Sequence, residues 1–111
     1  MIKTTGSSGA EAFLKVLTAM GVECIFASRG SEWSPVWEQL SHLAEQGKKA
    51  PSYLSLRHEE VAVAMAGGYA KVSGKLPAVL LHTTAGSLHG AMALRGAHHE
   101  RLSMVVFAGE S

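Results

Sequence analysis

A cluster of ionisable side chains stands directly before an apolar helix in the segment RHEEVAVAMAGGYAKVSG, which begins at Arg57. For the Glu59 carboxyl, the residue types leave two interpretations open. A carboxylate in the first turn of a helix is stabilised by the helix dipole, by roughly 0.3–1 kcal/mol, and needs no further role. A carboxyl held in an apolar slot instead has a raised pKa and can share a proton with a ligand nitrogen. Glu60 is expected to face solvent.

A second candidate for chemistry is His82, which ends the apolar segment PAVLLH. A histidine at the end of a strand is commonly structural, but acid–base chemistry is almost as frequent there. Gly86 opens the next predicted helix, where backbone N–H groups can face an anion. The segment TTAGSLHG matches neither a P-loop nor GxGxxG, so it is a weak indication of phosphate binding.

His98, His99 and Glu100 carry side chains that can bind metals. They lie at a predicted helix end, without HExxH spacing and without a second cluster, which favours a solvated face. The sequence therefore assigns no metal to this chain.

Helical and strand patterns alternate along the chain. Helices are predicted at 10–20, 35–46, 59–72 and 85–99, and strands at 22–27, 53–56, 77–84 and 102–110. This alternation predicts an α/β fold, a parallel sheet with helices on both faces. Polar residues follow all four strands, at the edge where parallel sheets bind ligands. The third and fourth helices are apolar or small almost all round, which predicts a partner surface.

Composition limits the possible classes of protein. The 111 residues fit one domain, 1–111, with 47% hydrophobic and 17% charged residues. A net charge of +1 gives no footprint for nucleic acid, and no apolar run is long enough for a membrane span. No signal peptide is indicated. The single cysteine, Cys24, is expected to be a small buried hydrophobe in a reducing compartment, so a cytoplasmic location is predicted.

Three segments, RHEEVAVAMAGGYAKVSGK, PAVLLHTTAGSLHGAMALRGA and MVVFAGES, resemble the pyrimidine-binding (PYR) domain of thiamine diphosphate-dependent enzymes. That family includes acetolactate synthase and benzoylformate decarboxylase, and the resemblance runs from about residue 9 to the end. It implies that Glu59 hydrogen-bonds N1′ of the cofactor aminopyrimidine and thereby promotes loss of the thiazolium C2 proton. With this cofactor, the helix start at Gly86 is expected to contribute to cofactor binding. The final helix and strand of a PYR domain have no counterpart, so the domain is expected to be partial, with an apparently truncated C-terminus.

The same resemblance assigns two residues to the substrate. His82 matches the position of a catalytic histidine in benzoylformate decarboxylase, whereas acetolactate synthases usually have threonine there. Ser31 matches a serine expected to contact the substrate carboxylate. Together they favour a 2-oxoacid decarboxylase or carboligase. Arg29 and Ala85 replace prolines that are usual in these loops, so the substrate stays open.

The resemblance further implies that thiamine diphosphate and Mg²⁺ are held by a separate diphosphate-binding domain bearing G-D-G and a later Asn. The active site would then form in a homo-oligomer or in a hetero-complex with that domain, and the isolated chain is expected to be inactive. Two alternatives remain. One is a non-catalytic α/β module or remnant that only binds a partner. The other, a flavodoxin-like nucleotide binder, is weaker because the phosphate loop is poor.

Overall fold

The fold is described here from a computed structural model for residues 9–28 and 33–109. Helices and strands alternate as predicted. The helices are α1 Gly9–Ala19, α2 Ser34–Glu45, α3 Glu59–Ser73 and α4 Thr83–His99. The strands are β1 Cys24–Ser28, β2 Ser52–Leu56, β3 Ala78–Leu81 and β4 Val105–Ala108. The predicted α/β class is therefore confirmed.

The largest boundary errors lie at the two ends of the fourth helix, where it meets β3 and β4. The predicted third strand continued to residue 84, but β3 ends at Leu81 and α4 begins at Thr83. Thr83 has φ 46°, a left-handed conformation that turns the chain sharply after His82. The predicted fourth strand began at residue 102, yet the Leu102 N–H still donates to Ala97 at the end of α4. The chain is therefore still turning at Leu102, and β4 begins only at Val105.

The two helix ends predicted from glycine agree with the structure, whereas the helix start predicted from serine does not. Gly21 and Gly74 directly follow the helical patterns of the first and third helices, a position that predicts helix ends, and they have φ of 86° and 71°, which glycine adopts without steric cost. The pair Ser34-Pro35 is typical of an N-cap followed by the first helical residue, but the prediction that Ser34 caps the second helix is wrong. Trp33 is the N-cap, with no side-chain cap bond, and Ser34 is already helical.

The sheet is parallel throughout, in the order β2-β1-β3-β4. The chain moves from β1 outward to β2, then crosses back over β1 to β3. The direction of winding therefore reverses between β1 and β3. In open parallel sheets this switch point, at the carboxyl ends of the strands, is where ligands bind.

The two central strands separate two hydrophobic clusters, as expected for a sheet covered on both faces. Ile25 and Leu80 belong to the cluster under α1 and α2, whereas Phe26 and Leu81 belong to the cluster under α3 and α4. All residues of β1 and β3 are buried, whereas the edge strands β2 and β4 are partly exposed. The buried centre of the sheet thus lies beneath the switch point.

Three further expectations from the sequence concern membrane spans, the single cysteine and the polar end of α4. Within 9–28 and 33–109 no helix combines the length and apolar character needed to cross a bilayer. Cys24 is buried and free, and burial raises the pKa of its thiol, as expected for a small core residue. His98, His99 and Glu100 are exposed at the end of α4, as predicted.

Candidate functional site

Glu59 is the first residue of α3, immediately beyond the carboxyl end of β2, and its side chain is only 12% exposed. Its carboxyl lies in a slot closed by α4. A Cβ atom added at Gly86 would lie 3.1 Å from both Glu59 Cγ and Oε2, and one at Gly90 would lie 3.5 Å from Glu59 Cβ. The two glycines therefore let the backbone of α4 pack directly against this carboxylate. Glu60, as predicted, is exposed.

Side chains from two other elements hold the Glu59 carboxylate. The hydroxyl of Ser28, at the end of β1 and 1% exposed, can donate its one proton either to this carboxylate or to the Leu80 carbonyl, 3.4 Å from its oxygen. The same hydroxyl oxygen accepts the backbone N–H of His82 at 3.1 Å. His89 Nδ1 lies 3.4 Å from Glu59 Oε1. The site therefore joins the ends of β1 and β3 to the first turn of α3 and the first two turns of α4, at the switch point of the sheet.

The pKa of Glu59 is lowered from its ordinary value of 4.5. Burial, the largest effect, raises this pKa, but hydrogen bonds from Ser28, the backbone and His89, together with the charge of His58, outweigh it. The expectation of a raised pKa is therefore wrong for the protein alone. Burial was foreseen, but the donors that stabilise the ionised form were not.

His58 fixes one side of the site. Its Nδ1 accepts the backbone N–H of Glu60 at 3.0 Å, which makes it the N-cap of α3. Its ring stacks on that of His89, with centroids 5.2 Å apart and an interplanar angle of 23°. Two histidines from different elements therefore stand together over the mouth of the slot.

The ligand atoms of His58, Glu59 and His89 lie within 4.8 Å of one another, a spacing that could suit a metal ion. When neutral, His58 carries its proton on Nε2, because Nδ1 accepts the cap hydrogen bond. A metal would have to break that bond. Nearly parallel stacked rings also aim their in-plane lone pairs past each other, whereas one ion must lie in the plane of both rings. The arrangement therefore favours hydrogen bonding to the carboxylate over metal binding.

Of the other predicted site residues, the structure brings His82 and Gly86 close to Glu59. His82 is half-buried at the N-cap of α4 and is linked to Glu59 through Ser28. Gly86 lies against the Glu59 carboxyl, but its N–H donates to the His82 carbonyl at 2.6 Å, so it is not free to face an anion. Ser31 lies outside the described residues. The roles of these residues toward a cofactor or substrate stay predictions.

Sequence analysis missed Ser28, His58 and His89 as parts of the site. Ser28 is the first polar residue after the apolar run of β1, a signal that was available. His89 follows Gly86 by three positions, so both lie on one face of α4. That spacing is visible in the sequence as well, but the sequence does not show that this face of α4 packs against α3.

Comparison with known proteins gives a consistent result. The family described as "Thiamine pyrophosphate enzyme, N-terminal TPP binding domain" matches residues 7–111. The acetolactate synthase large subunit of Lactococcus lactis is 28% identical over 104 residues, which cover 94% of this chain and 17% of that protein. A probable acetolactate synthase large subunit of Methanococcus aeolicus is 31% identical over 103 residues, covering 93% of this chain and 16% of that protein.

Solved structures show the same similarity. A putative thiamin diphosphate-dependent enzyme from Mycobacterium smegmatis superposes with a TM-score of 0.72 at 26% identity, covering 93% of this chain and 19% of that one. The thiamine diphosphate-dependent 4-hydroxybenzoylformate decarboxylase of Rhodococcus jostii gives a TM-score of 0.74 at 30% identity, covering 90% and 18%. The chain thus spans less than a fifth of the length of these proteins.

Proposed function

Because the chain belongs to the thiamine pyrophosphate enzymes, as their N-terminal TPP-binding domain, we propose that it supplies the pyrimidine-binding half of an active site acting on 2-oxoacids. In this proposal Glu59 hydrogen-bonds the cofactor aminopyrimidine. The observation that carries it is the sheltered carboxyl at the switch point, 12% exposed and held by donors from β1 and α4. The expected ligand is thiamine diphosphate.

The residues present fit an aminopyrimidine. A ring nitrogen needs a carboxyl group that can hold a proton jointly with it, and the slot between α3 and α4 offers one with little competing water. Gly86 and Gly90 are buried against the Glu59 side chain, so they serve the proposed site by letting the carboxyl pack closely against α4. The proposed role of Gly86 toward the cofactor is therefore indirect, through the position of the Glu59 carboxyl.

When bound, thiamine diphosphate supplies a nucleophilic thiazolium carbon and an electron sink for cleavage next to a carbonyl. In this proposal the chain contributes the Glu59 carboxyl, which shares a proton with the aminopyrimidine nitrogen. Ser28 and His89 keep the carboxylate in place, and burial limits exchange of that proton with water. Because its pKa is lowered in the free protein, Glu59 is ionised before the cofactor binds and can accept a hydrogen bond from it.

His82 is proposed as the proton relay to the substrate, and Ser31 as a contact for its carboxylate. The position of His82 at the end of β3, linked by its backbone to Ser28, supports its place beside Glu59. The similarity to a 4-hydroxybenzoylformate decarboxylase at 30% identity favours a 2-oxoacid decarboxylase. The acetolactate synthase relatives keep carboligation as the alternative.

A partner domain is part of the proposal. Large apolar side chains remain exposed on the two helices that form the site: Val61, Met65, Leu88 and Met92, between 45% and 71% exposed. They form one apolar stripe on each helix, because Val61 and Met65 are four positions apart on α3 and Leu88 and Met92 are four positions apart on α4. We place on this face a diphosphate-binding domain that holds the diphosphate and Mg²⁺, in a homo-oligomer or a hetero-complex. A cytoplasmic location belongs to the same proposal.

The test combines the chain with its cognate diphosphate-binding domain and measures thiamine diphosphate-dependent turnover of 2-oxoacids. Glu59→Gln should lower turnover by roughly 10²-fold or more, because an amide cannot share a proton in this way. Glu60→Gln is the matched control, since it removes the same charge from the adjacent, exposed residue. Unchanged turnover in Glu59→Gln would remove the proposed mechanism.

The same mixture tests the rival function, a module that only binds a partner through the apolar face. That function predicts a complex whose formation is indifferent to thiamine diphosphate and which turns over no 2-oxoacid. Analytical ultracentrifugation with and without the cofactor, beside the turnover assay, separates the two.

A further inference from the structure

We propose that His89 is a positioning residue for Glu59, and that the ring of His58 sets the orientation in which His89 does so. This inference rests on the proposed function of Glu59 as the cofactor-activating carboxyl. It assigns to the site two histidines that the family resemblance did not point to, one on α4 and one before α3.

The Glu59 carboxylate has two oxygens in different surroundings. Oε2 faces the backbone of α4, where a Cβ at Gly86 would lie 3.1 Å away. Oε1 faces His89 Nδ1 at 3.4 Å. Glycine and histidine are three positions apart, so one face of α4 provides both the surface under the carboxylate and a donor for it. The rotation of the carboxylate is therefore set by α4.

His89 needs help to stay in this place, because its side chain is 60% exposed and an exposed side chain changes rotamer freely. The ring of His58, 5.2 Å away and nearly parallel, covers one side of it. His58 is itself fixed by the backbone N–H of Glu60 on its Nδ1. The N-cap hydrogen bond thus fixes the His58 ring, and the His58 ring holds the His89 ring by stacking. His89 in turn donates to the Glu59 carboxylate.

This chain of contacts gives His89 a role that Ser28 does not share. Ser28 binds the carboxylate from the buried side of the sheet and is 1% exposed. His89 binds it from the open side, where a cofactor ring has to arrive. Because Oε1 and its donor lie at the mouth of the slot, His89 keeps the carboxylate turned toward that opening.

The first experiment follows the Glu59 carboxyl by ¹³C NMR as a function of pH in the 111-residue chain, with no cofactor present. His89→Leu should raise the Glu59 pKa relative to the wild type, because a donor to the ionised form is lost. His89→Asn keeps an N–H donor and should restore part of the difference. His99→Leu, an exposed histidine on the same helix, is the matched control and should change nothing.

His58 is tested by His58→Asn, which keeps a good N-cap residue but removes the stacking ring. The nuclear Overhauser contact between the His89 ring and the Glu59 side chain should weaken in this variant. Amide spectra show whether each variant stays folded. The same Glu59 pKa in His89→Leu and wild type, or an undiminished contact in His58→Asn, would overturn the inference.

The second experiment uses the complex with the diphosphate-binding domain and measures kcat against pH. The acid limb of the profile should move to higher pH in His89→Leu but not in His99→Leu, whereas a purely structural role would lower kcat equally at every pH. An unmoved acid limb, or tighter cofactor binding in His89→Leu, would contradict positioning. A fully active Glu59→Gln would instead refute the proposed function and leave the NMR result standing.

Discussion

Two carboxylates at opposite ends of the sheet, Glu23 and Glu59, both have a lowered pKa, for different reasons. Glu23 precedes β1 at the amino end, and a hydrogen bond and the charge of Lys75, with Nζ 2.5 Å from Glu23 Oε2, lower its pKa. Both side chains of that pair are about half exposed, at 51% and 52%. Glu59 lies at the carboxyl end, and a hydroxyl, a backbone N–H and an imidazole hold it in spite of burial.

The comparison shows that the direction of a pKa shift does not identify a functional site. The charge of Glu23 is already matched by a lysine, and its pair with Lys75 is screened by water. A hollow of about 460 Å³ also lies beside Glu23, lined by Thr18, Gly21, Val22, Glu23, Lys49, Ala50, Pro51 and Ser52. Yet that hollow is at the amino end, away from the switch point. Location in the sheet and shelter from solvent distinguish Glu59.

The largest effect on stability is expected from Ser28→Ala. It leaves the His82 N–H without its acceptor and removes one of the donors to Glu59, at a cost of about 2 kcal/mol in the free energy of unfolding. Ser87→Ala is the control, because the Ser87 hydroxyl only bonds a carbonyl of its own helix and alanine favours the helix. Urea unfolding measures both. Equal stability of the two variants would show that the Ser28 contacts carry no weight.

Gly86→Ala is expected to be the next largest change. The new Cβ lies 3.1 Å from Glu59 Cγ and Oε2, so the carboxyl must move away from its donors, at a cost of about 1 kcal/mol. In α3, a Cβ at Gly68 meets nothing within 4 Å, so Gly68→Ala should stabilise by about 0.5–1 kcal/mol. Thermal unfolding of the pair tests the opposite signs. Stabilisation by both substitutions would mean that the slot around Glu59 is loose.

The pH dependence of stability sharpens the contrast between the carboxylates. A group whose folded pKa is lowered contributes stability above its unfolded pKa, here near 4.5, and this is lost as pH falls through the folded pKa. Glu59→Gln should therefore flatten the loss of stability below pH 4.5. Glu23→Gln should do so less, because solvent screens its pair. Urea midpoints measured across the acid range test this order, and a larger effect of Glu23→Gln would reverse the comparison.

The smallest effect is expected at the amino end of the sheet. Lys75→Met removes the partner of Glu23, but both side chains are half exposed, so the melting temperature at neutral pH should stay within experimental error. Repeating the measurement at high salt provides a control, because salt screens an exposed ion pair in the wild type as well. A clear loss of stability in Lys75→Met would show that this ion pair matters more than its exposure indicates.

Much of the fold was available from local patterns. Apolar runs of four to six residues gave the strands, glycines at 21 and 74 gave helix ends, and the alternation gave a parallel sheet. The burial of Cys24 and the exposure of Glu60 and His98 also followed from their neighbours in sequence. The boundaries at His82 and Ser34 failed, because a left-handed threonine and a tryptophan cap depend on tertiary packing.

By itself the sequence determined the layered α/β architecture, the family and the position of Glu59 before an apolar helix, since these depend on residue type and short-range periodicity. Only the tertiary structure decided the surroundings of that carboxyl. Ser28, His82 and His89 come from segments up to 61 positions apart, and only the parallel pairing of β1 with β3 and the packing of α4 on α3 bring them together. Whether a buried carboxyl titrates high or low depends on those donors, and a chain read residue by residue does not reveal them.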